Sequence, residues 1–153
     1  MQSDPRSAGK RLREFMVVAP AAALLMTACG GLDGVDLTAS LRSEGAGVGT
    51  GVADIEISSD RTRLCWDIRG LVGTDGVTGM HIHVGPAGVV GAVVVEFRSG
   101  NRGCHDVSPA GGVSEAALRD IADDPASFYV DVHGGGYPDG SIRGQLEPTG
   151  DGK

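Results

Sequence analysis

The chain has 153 residues, 41% hydrophobic and only 4% aromatic, with 26 glycines and a formal net charge of −7. Glycine at about 17% (26 of 153) stands far above the usual ~7%, but no G-X-Y period runs through it, which excludes a collagen-like chain. Val, Ile and Leu are too frequent for a wholly disordered chain, and the length suits one domain. A glycine-rich, valine-rich, aromatic-poor domain reads as many short strands joined by tight turns.

Residues 1–28 read as an address rather than part of the fold. Lys10, Arg11 and Arg13 precede an uncharged run, Phe15 to Ala28, that ends in small residues. A basic region, an apolar run of roughly 7–15 residues and a small-residue cut describe a secretory signal peptide. A membrane span needs about 20 apolar residues, and Pro20 interrupts even this shorter run. Leu25-Met26-Thr27-Ala28-Cys29 resembles a bacterial lipobox, with Met26 where leucine is usual. That resemblance implies a lipoprotein: lipid on the Cys29 sulfur, the membrane as a partner through that anchor, and a place in the bacterial cell envelope outside the cytoplasm. An ordinary cleaved signal beside an incidental cysteine is the alternative.

Past residue 28 the chain holds 9 Lys and Arg against 18 Asp and Glu, a net charge of −9. No basic patch survives, which argues against nucleic acid as a partner. Cys65 and Cys104 remain as an even pair suited to a disulfide in an oxidising compartment. Their bridge would close a loop of about 40 residues, worth roughly 4 kcal/mol in the chain-entropy model. Two free thiols are the other reading.

Residues 29–34 form a tether, 35–147 the domain and 148–153 a tail. Leu37, Ala39 and Leu41 alternate with polar residues, and Val52 to Ile57 continues as a second strand after a glycine-spaced stretch. Leu64, Trp66 and Ile68 share one face of a third strand. Cys65 and Asp67 share the other, so a disulfide there lies opposite the tryptophan and pins a sheet edge. Met80 to Val84 places its apolar residues on one face and His81 and His83 on the other. Gly85-Pro86-Ala87-Gly88 is a turn, and Val89 to Val95 reads as a buried strand. Ser114 caps a helix carrying Ala117, Leu118 and Ile121, which ends at Asp123-Asp124-Pro125. Phe128, Val130 and Val132 then alternate with Tyr129, Asp131 and His133. Gly134 to Gly140 turns the chain into a returning strand with Ile142, Gly144 and Leu146. About seven strands and one short helix predict an all-β, antiparallel Greek-key sandwich or barrel.

Histidine supplies the chemistry. His81 and His83, two apart on a strand, point the same way with Cα atoms about 7 Å apart. His133 ends another strand, on the face opposite Phe128, Val130 and Val132. If the two strands are neighbours, three imidazoles can share a metal ion such as copper or zinc. Arg143, across the last turn, would then steer an anion. A strand His-x-His that bonds backbone carbonyls or faces water is the alternative. His105 reads as solvent-facing, with a fourth metal ligand as the alternative, and Asp131 as only weakly able to orient His133. No G-x-S-x-G, H-E-x-x-H or P-loop is present.

His81-Ile82-His83-Val84-Gly85-Pro86-Ala87-Gly88, with Gly91 and the valine run, resembles the central motif of the CHRD domain, first described in chordin and also found in bacterial secreted proteins. Asp124-Pro125, Phe128 to His133 and Tyr137 to Leu146 resemble the closing block of that family. Cys65 and Cys104 lie where bacterial members commonly carry a pair. The departures are Asp131 in place of asparagine and Gly134 to Gly136 where a threonine commonly follows the histidine. The resemblance implies a β-sandwich and an extracytoplasmic setting, and it leaves activity open. A more distant similarity is to copper–zinc superoxide dismutases, in which a His-x-His strand, another strand histidine and a later arginine follow in the order of His81, His83, His133 and Arg143. The zinc-loop histidines have no counterpart here.

Two functions follow. One is a non-enzymatic binding or structural module, lipid-anchored, whose loops meet an unidentified protein or small-molecule partner. The other is a copper-dependent redox enzyme of dismutase type, with His81, His83 and His133 on copper and Arg143 attracting superoxide.

Overall fold

The computed structural model describes residues 34–43, 48–74, 76–86, 88–98, 100–108 and 112–150, and all but the side chains of Pro138 and Asp139 among them. Residues 1–33, on which the expected leader, Cys29 and most of the expected tether fall, lie outside the described residues. Among those described, no helix is long and apolar enough to cross a membrane.

Among the described residues nine strands form one antiparallel sheet: β1 (Val35–Ser43), β2 (Thr50–Ile57), β3 (Arg63–Val72), β4 (Val77–Val84), β5 (Val93–Glu96), β6 (Arg102–Asp106), β7 (Phe128–Gly134), β8 (Tyr137–Gln145) and β9 (Glu147–Pro148). Their spatial order is β5-β4-β7-β8-β1-β2-β3-β6, with β9 beside β1. The connection from β3 to β4 crosses most of the sheet, and the one from β5 to β6 joins its two edges. The edges also meet through side chains. Trp66 on β3 stacks on Phe97 at 4.8 Å and donates its indole N–H to the Gly100 carbonyl at 2.9 Å. His105 on β6 donates from Nε2 to the Glu96 carbonyl at 2.7 Å. The sheet is thereby curled into a half-barrel around one apolar core, the antiparallel all-β fold that the strand pattern predicts.

Period-two alternation decides which residues fill that core. Leu37, Ala39 and Leu41 of β1, Ile55 and Ile57 of β2, and Leu64, Trp66 and Ile68 of β3 are at most 2% exposed. Met80 and Ile82 of β4 and Val130 and Val132 of β7 complete it from the other half of the sheet. Helix α1 (Glu115–Asp123) lays Leu118 and Ile121 on the core. Ser114 Oγ caps it by accepting the Ala117 N–H at 3.1 Å.

Three local expectations change. Val89 to Val95 is not one buried strand: β5 starts at Val93, and Val89 and Val90 are exposed. The backbone of Gly91 is held by side chains instead of a ladder, its N–H by the Tyr129 hydroxyl and its carbonyl by His83. A Cβ at Gly91 would also lie 1.7 Å from the Val84 carbonyl oxygen, so only glycine fits this crossing. The closing turn is tighter than Gly134 to Gly140, because Gly134 pairs with Tyr137 across Gly135-Gly136. His105 is half-buried rather than wholly in solvent. It tilts against Trp66 at 4.8 Å, held by its bond to Glu96.

Cys65 and Cys104 are direct cross-strand partners on β3 and β6, with Cα atoms 4.0 Å apart and sulfurs at bonding distance. They lie on the face opposite Trp66 and tie edge strand β6 to the sheet, as the alternation in β3 predicts.

Candidate metal centre

Strands β4 and β7 are neighbours, so the condition for a three-histidine cluster is met. Their register sets Gly79 opposite His133, His81 opposite Asp131 and His83 opposite Tyr129. On the other side of β7, Asp131 faces Arg143 and Tyr129 faces Gln145 of β8. All these side chains leave the sheet on the face away from the apolar core, because Met80, Ile82, Val130 and Val132 take the inner positions.

An outer face of a sheet is ordinarily wet, but this one is covered. The chain after β4 folds back over it: Gly85 N–H donates to the Ser127 carbonyl at 2.7 Å and Val84 N–H to the Ala92 carbonyl at 3.0 Å. Gln145 Nε2 donates to the Phe128 carbonyl at 2.6 Å and reaches the Gly85 carbonyl at 3.2 Å. Ser141 Oγ donates to the Val48 carbonyl at 3.2 Å from the side of β8. Tyr129 and Asp131 are fully buried under this roof, and His83 is 5% exposed.

The imidazoles converge. His81 Nδ1 lies 3.1 Å from His133 Nε2, and the ligand atoms of His81, His83 and His133 all lie within 4.8 Å of one another. Two nitrogens bound to one tetrahedral ion at about 2.0 Å are about 3.3 Å apart, so the closer pair already has the spacing of two ligands. His83 has its tautomer fixed. Its Nδ1–H donates to the Gly91 carbonyl at 2.9 Å, which leaves the Nε2 lone pair facing the cluster. The His83 ring is also stacked on Tyr129, 5.0 Å between centroids and 8° from parallel, so its aim is rigid. Burial, followed by the neighbouring His133 and His83 rings, pulls the His81 pKa below its ordinary 6.5, and His81 therefore stays a neutral donor at neutral pH.

Beneath the rings sits a buried ion pair. Arg143 Nε donates to Asp131 Oδ2 at 2.9 Å, with side-chain exposures of 6% and 0%. The Arg143 guanidinium lies 5.2 Å from the centroid of the Tyr129 ring. Asp131 Oδ2 is also 3.8 Å from His133 Nε2 and 3.9 Å from His83 Nε2, too long for hydrogen bonds. Two buried side-chain polar atoms among the described residues lack any hydrogen-bond partner, His83 Nε2 and Asp131 Oδ1, and both belong to this cluster. Such atoms are costly to bury without a partner. His81 and His133 also line a shallow pocket with Thr78, Gly79, Glu96 and Arg98.

His81, His83 and His133 are thus brought together, Arg143 lies beside them in a pair, and His105 is remote, on the edge strand β6. Asp131 and Tyr129 are the residues that sequence reasoning undervalued. The signal for both was their place on the outward face of β7, two and four residues before His133.

Fold and site together define a curled antiparallel sheet with a covered imidazole cluster on its outer face. The chain belongs to the CHRD domain family, whose model matches residues 34–146. No curated protein and no solved structure matches the chain.

Proposed function

We propose that this chain is a lipid-anchored, extracytoplasmic CHRD-domain module that binds a divalent transition metal, copper or zinc, through His81, His83 and His133. It presents its loops to a protein or small-molecule partner rather than turning over a substrate. The observation that carries the metal assignment is the buried, partnerless Nε2 of His83, aimed among two further imidazoles whose nitrogens are 3.1 Å apart. Imidazole donors suit copper and zinc. The envelope assignment is supported by the leader-like run before Cys29 and by a cysteine pair at bonding distance, since disulfides persist in oxidising compartments.

Binding is favoured over dismutase-type catalysis by the position of Arg143. A guanidinium that attracts an anion has to meet it, whereas Arg143 is buried and engaged with Asp131. Its chemistry here is to hold the carboxylate under the rings.

The test is metal analysis of the full chain purified without chelators. About one equivalent of copper or zinc is expected, and the His83→Ala protein should lose it while keeping its far-UV signal. A wild-type protein that takes up neither ion at micromolar concentration overturns the assignment. For the anchor, Cys29→Ser should move the protein out of the membrane fraction.

A further inference from the structure

We propose that Asp131 is the fourth ligand of the metal, closing the site into a three-imidazole, one-carboxylate centre for a divalent ion. This inference rests on the metal-binding reading above. It extends that reading from the three histidines to a complete coordination shell, and so to what the bound metal does.

The geometry points there from three sides. Asp131 is fully buried, and its Oδ1 has no hydrogen-bond partner. Its Oδ2 lies 3.8 Å from His133 Nε2 and 3.9 Å from His83 Nε2. Nitrogen and oxygen ligands at about 2.0–2.2 Å from one tetrahedral ion are about 3.3–3.6 Å apart, so these spacings need to close by only a few tenths of an ångström. Asp131 is also in register with His81 on β4, so the same strand pair carries the carboxylate and the imidazoles.

Oδ2 accepts one bond from Arg143 Nε at 2.9 Å, which leaves a carboxylate oxygen with further lone pairs to give. The Arg143 bond fixes the carboxylate, in the way that outer partners fix ligands at metal sites generally. A carboxylate also discriminates among metals, because hard oxygen donors favour divalent ions over soft monovalent copper.

Four protein ligands leave a tetrahedral ion no open position. The centre then holds its metal as a staple between β4, β7 and the Gly85–Gly91 crossing, and does not offer it to a substrate.

The test uses Zn²⁺ and Co²⁺ titrations of the full chain, with Co²⁺ read in the visible. The wild type should give the intense absorption of four-coordinate Co²⁺, unchanged by added azide, and silver ion should not displace Zn²⁺. Asp131→Asn should weaken Zn²⁺ by at least the roughly 10–100-fold that even an outer-shell partner is worth, and should alter the Co²⁺ spectrum. Because Asp131→Asn alters the charge balance at Arg143, Asp131→Asn/Arg143→Gln is measured beside it and should show the same loss. Unchanged affinity and spectrum in both variants, with His83→Ala still losing Zn²⁺, overturns the carboxylate ligand and leaves the histidine site standing. An azide-sensitive Co²⁺ spectrum overturns the closed site. A wild type that binds neither ion overturns the histidine reading itself, and this inference with it.

Discussion

The two halves of the sheet treat charge in opposite ways. On β2, β3 and β6 the inner face is apolar and the outer face carries ion pairs in water: Arg63 with Asp106, Arg69 with Asp54, and Arg102 with Asp67, at side-chain exposures of 34–77%. On β4, β7 and β8 the outer face is roofed, and Asp131 and Arg143 meet at 2.9 Å with almost no solvent. The first half follows the ordinary logic of an antiparallel sheet, one face dry and one wet. The second buries an ion pair that two well-packed apolar residues, replacing both partners together, could substitute at little cost to folding. A sheet that buries a carboxylate, a guanidinium and an imidazole on its outer face is organised around that cluster. The difference separates the half that supplies the scaffold from the half that supplies the site.

The sharpest way to break this comparison is to remove one charge from each half. Asp131→Ala breaks the buried pair by removing the carboxylate that Arg143 Nε meets, and is expected to cost roughly 3–5 kcal/mol in urea denaturation. Asp106→Ala should leave the urea midpoint almost where it was, because Arg63 is exposed and water replaces its partner. Equal effects from the two substitutions would mean that the outer faces are energetically alike, and the distinction would fall.

The disulfide sharpens the comparison at smaller scale, because it belongs wholly to the scaffold half. Replacing Cys65 and Cys104 together by alanine should cost about 2–4 kcal/mol, since the bridge spans 39 residues of chain. Metal affinity should not change, because β3 and β6 contribute no residue to the histidine cluster. A matching loss of metal would show that the two halves respond as one unit.

How much of this was legible in the sequence differs between the halves for the same physical reason. In β3 the alternation of Leu64, Trp66 and Ile68 with Cys65 and Asp67 gave both the buried face and the side on which the disulfide lies, because a wet face and a dry face write a period of two. In β7 both faces are buried, from Phe128 through Val132. The polar residues there reveal their burial only once β8 and the chain after β4 are known to cover them. His81 and His83 advertised themselves by chemistry, and His133 by position. Asp131 did not, because its importance lies in cross-strand neighbours at His81 and Arg143 that no local window contains. Gly91 belonged to an apolar run and read as strand. Its actual place, a backbone crossing between His83 and Tyr129, is a long-range fact.

The smallest expected effect lies in the turn between β2 and β3, and it shows how exposed charge behaves in the scaffold half. Asp60 Oδ1 accepts from Ser58 Oγ at 2.7 Å, from Thr62 Oγ1 at 2.7 Å and from the Thr62 backbone N–H at 3.1 Å. These bonds favour the charged carboxylate and lower its pKa from 3.8 to about 2, with the Ser58 bond the largest cause. A folded-state pKa below the unfolded value means that the unfolded chain binds the proton first as acid is added. The contribution is therefore fully present above 3.8 and is lost as the pH falls through about 2. Ser58→Ala should bring the Asp60 pKa back toward 3.8 in a carboxylate NMR titration and flatten the acid limb of stability between those two values. An Asp60 that titrates near 2 in the Ser58→Ala protein would put the shift elsewhere than in these hydrogen bonds.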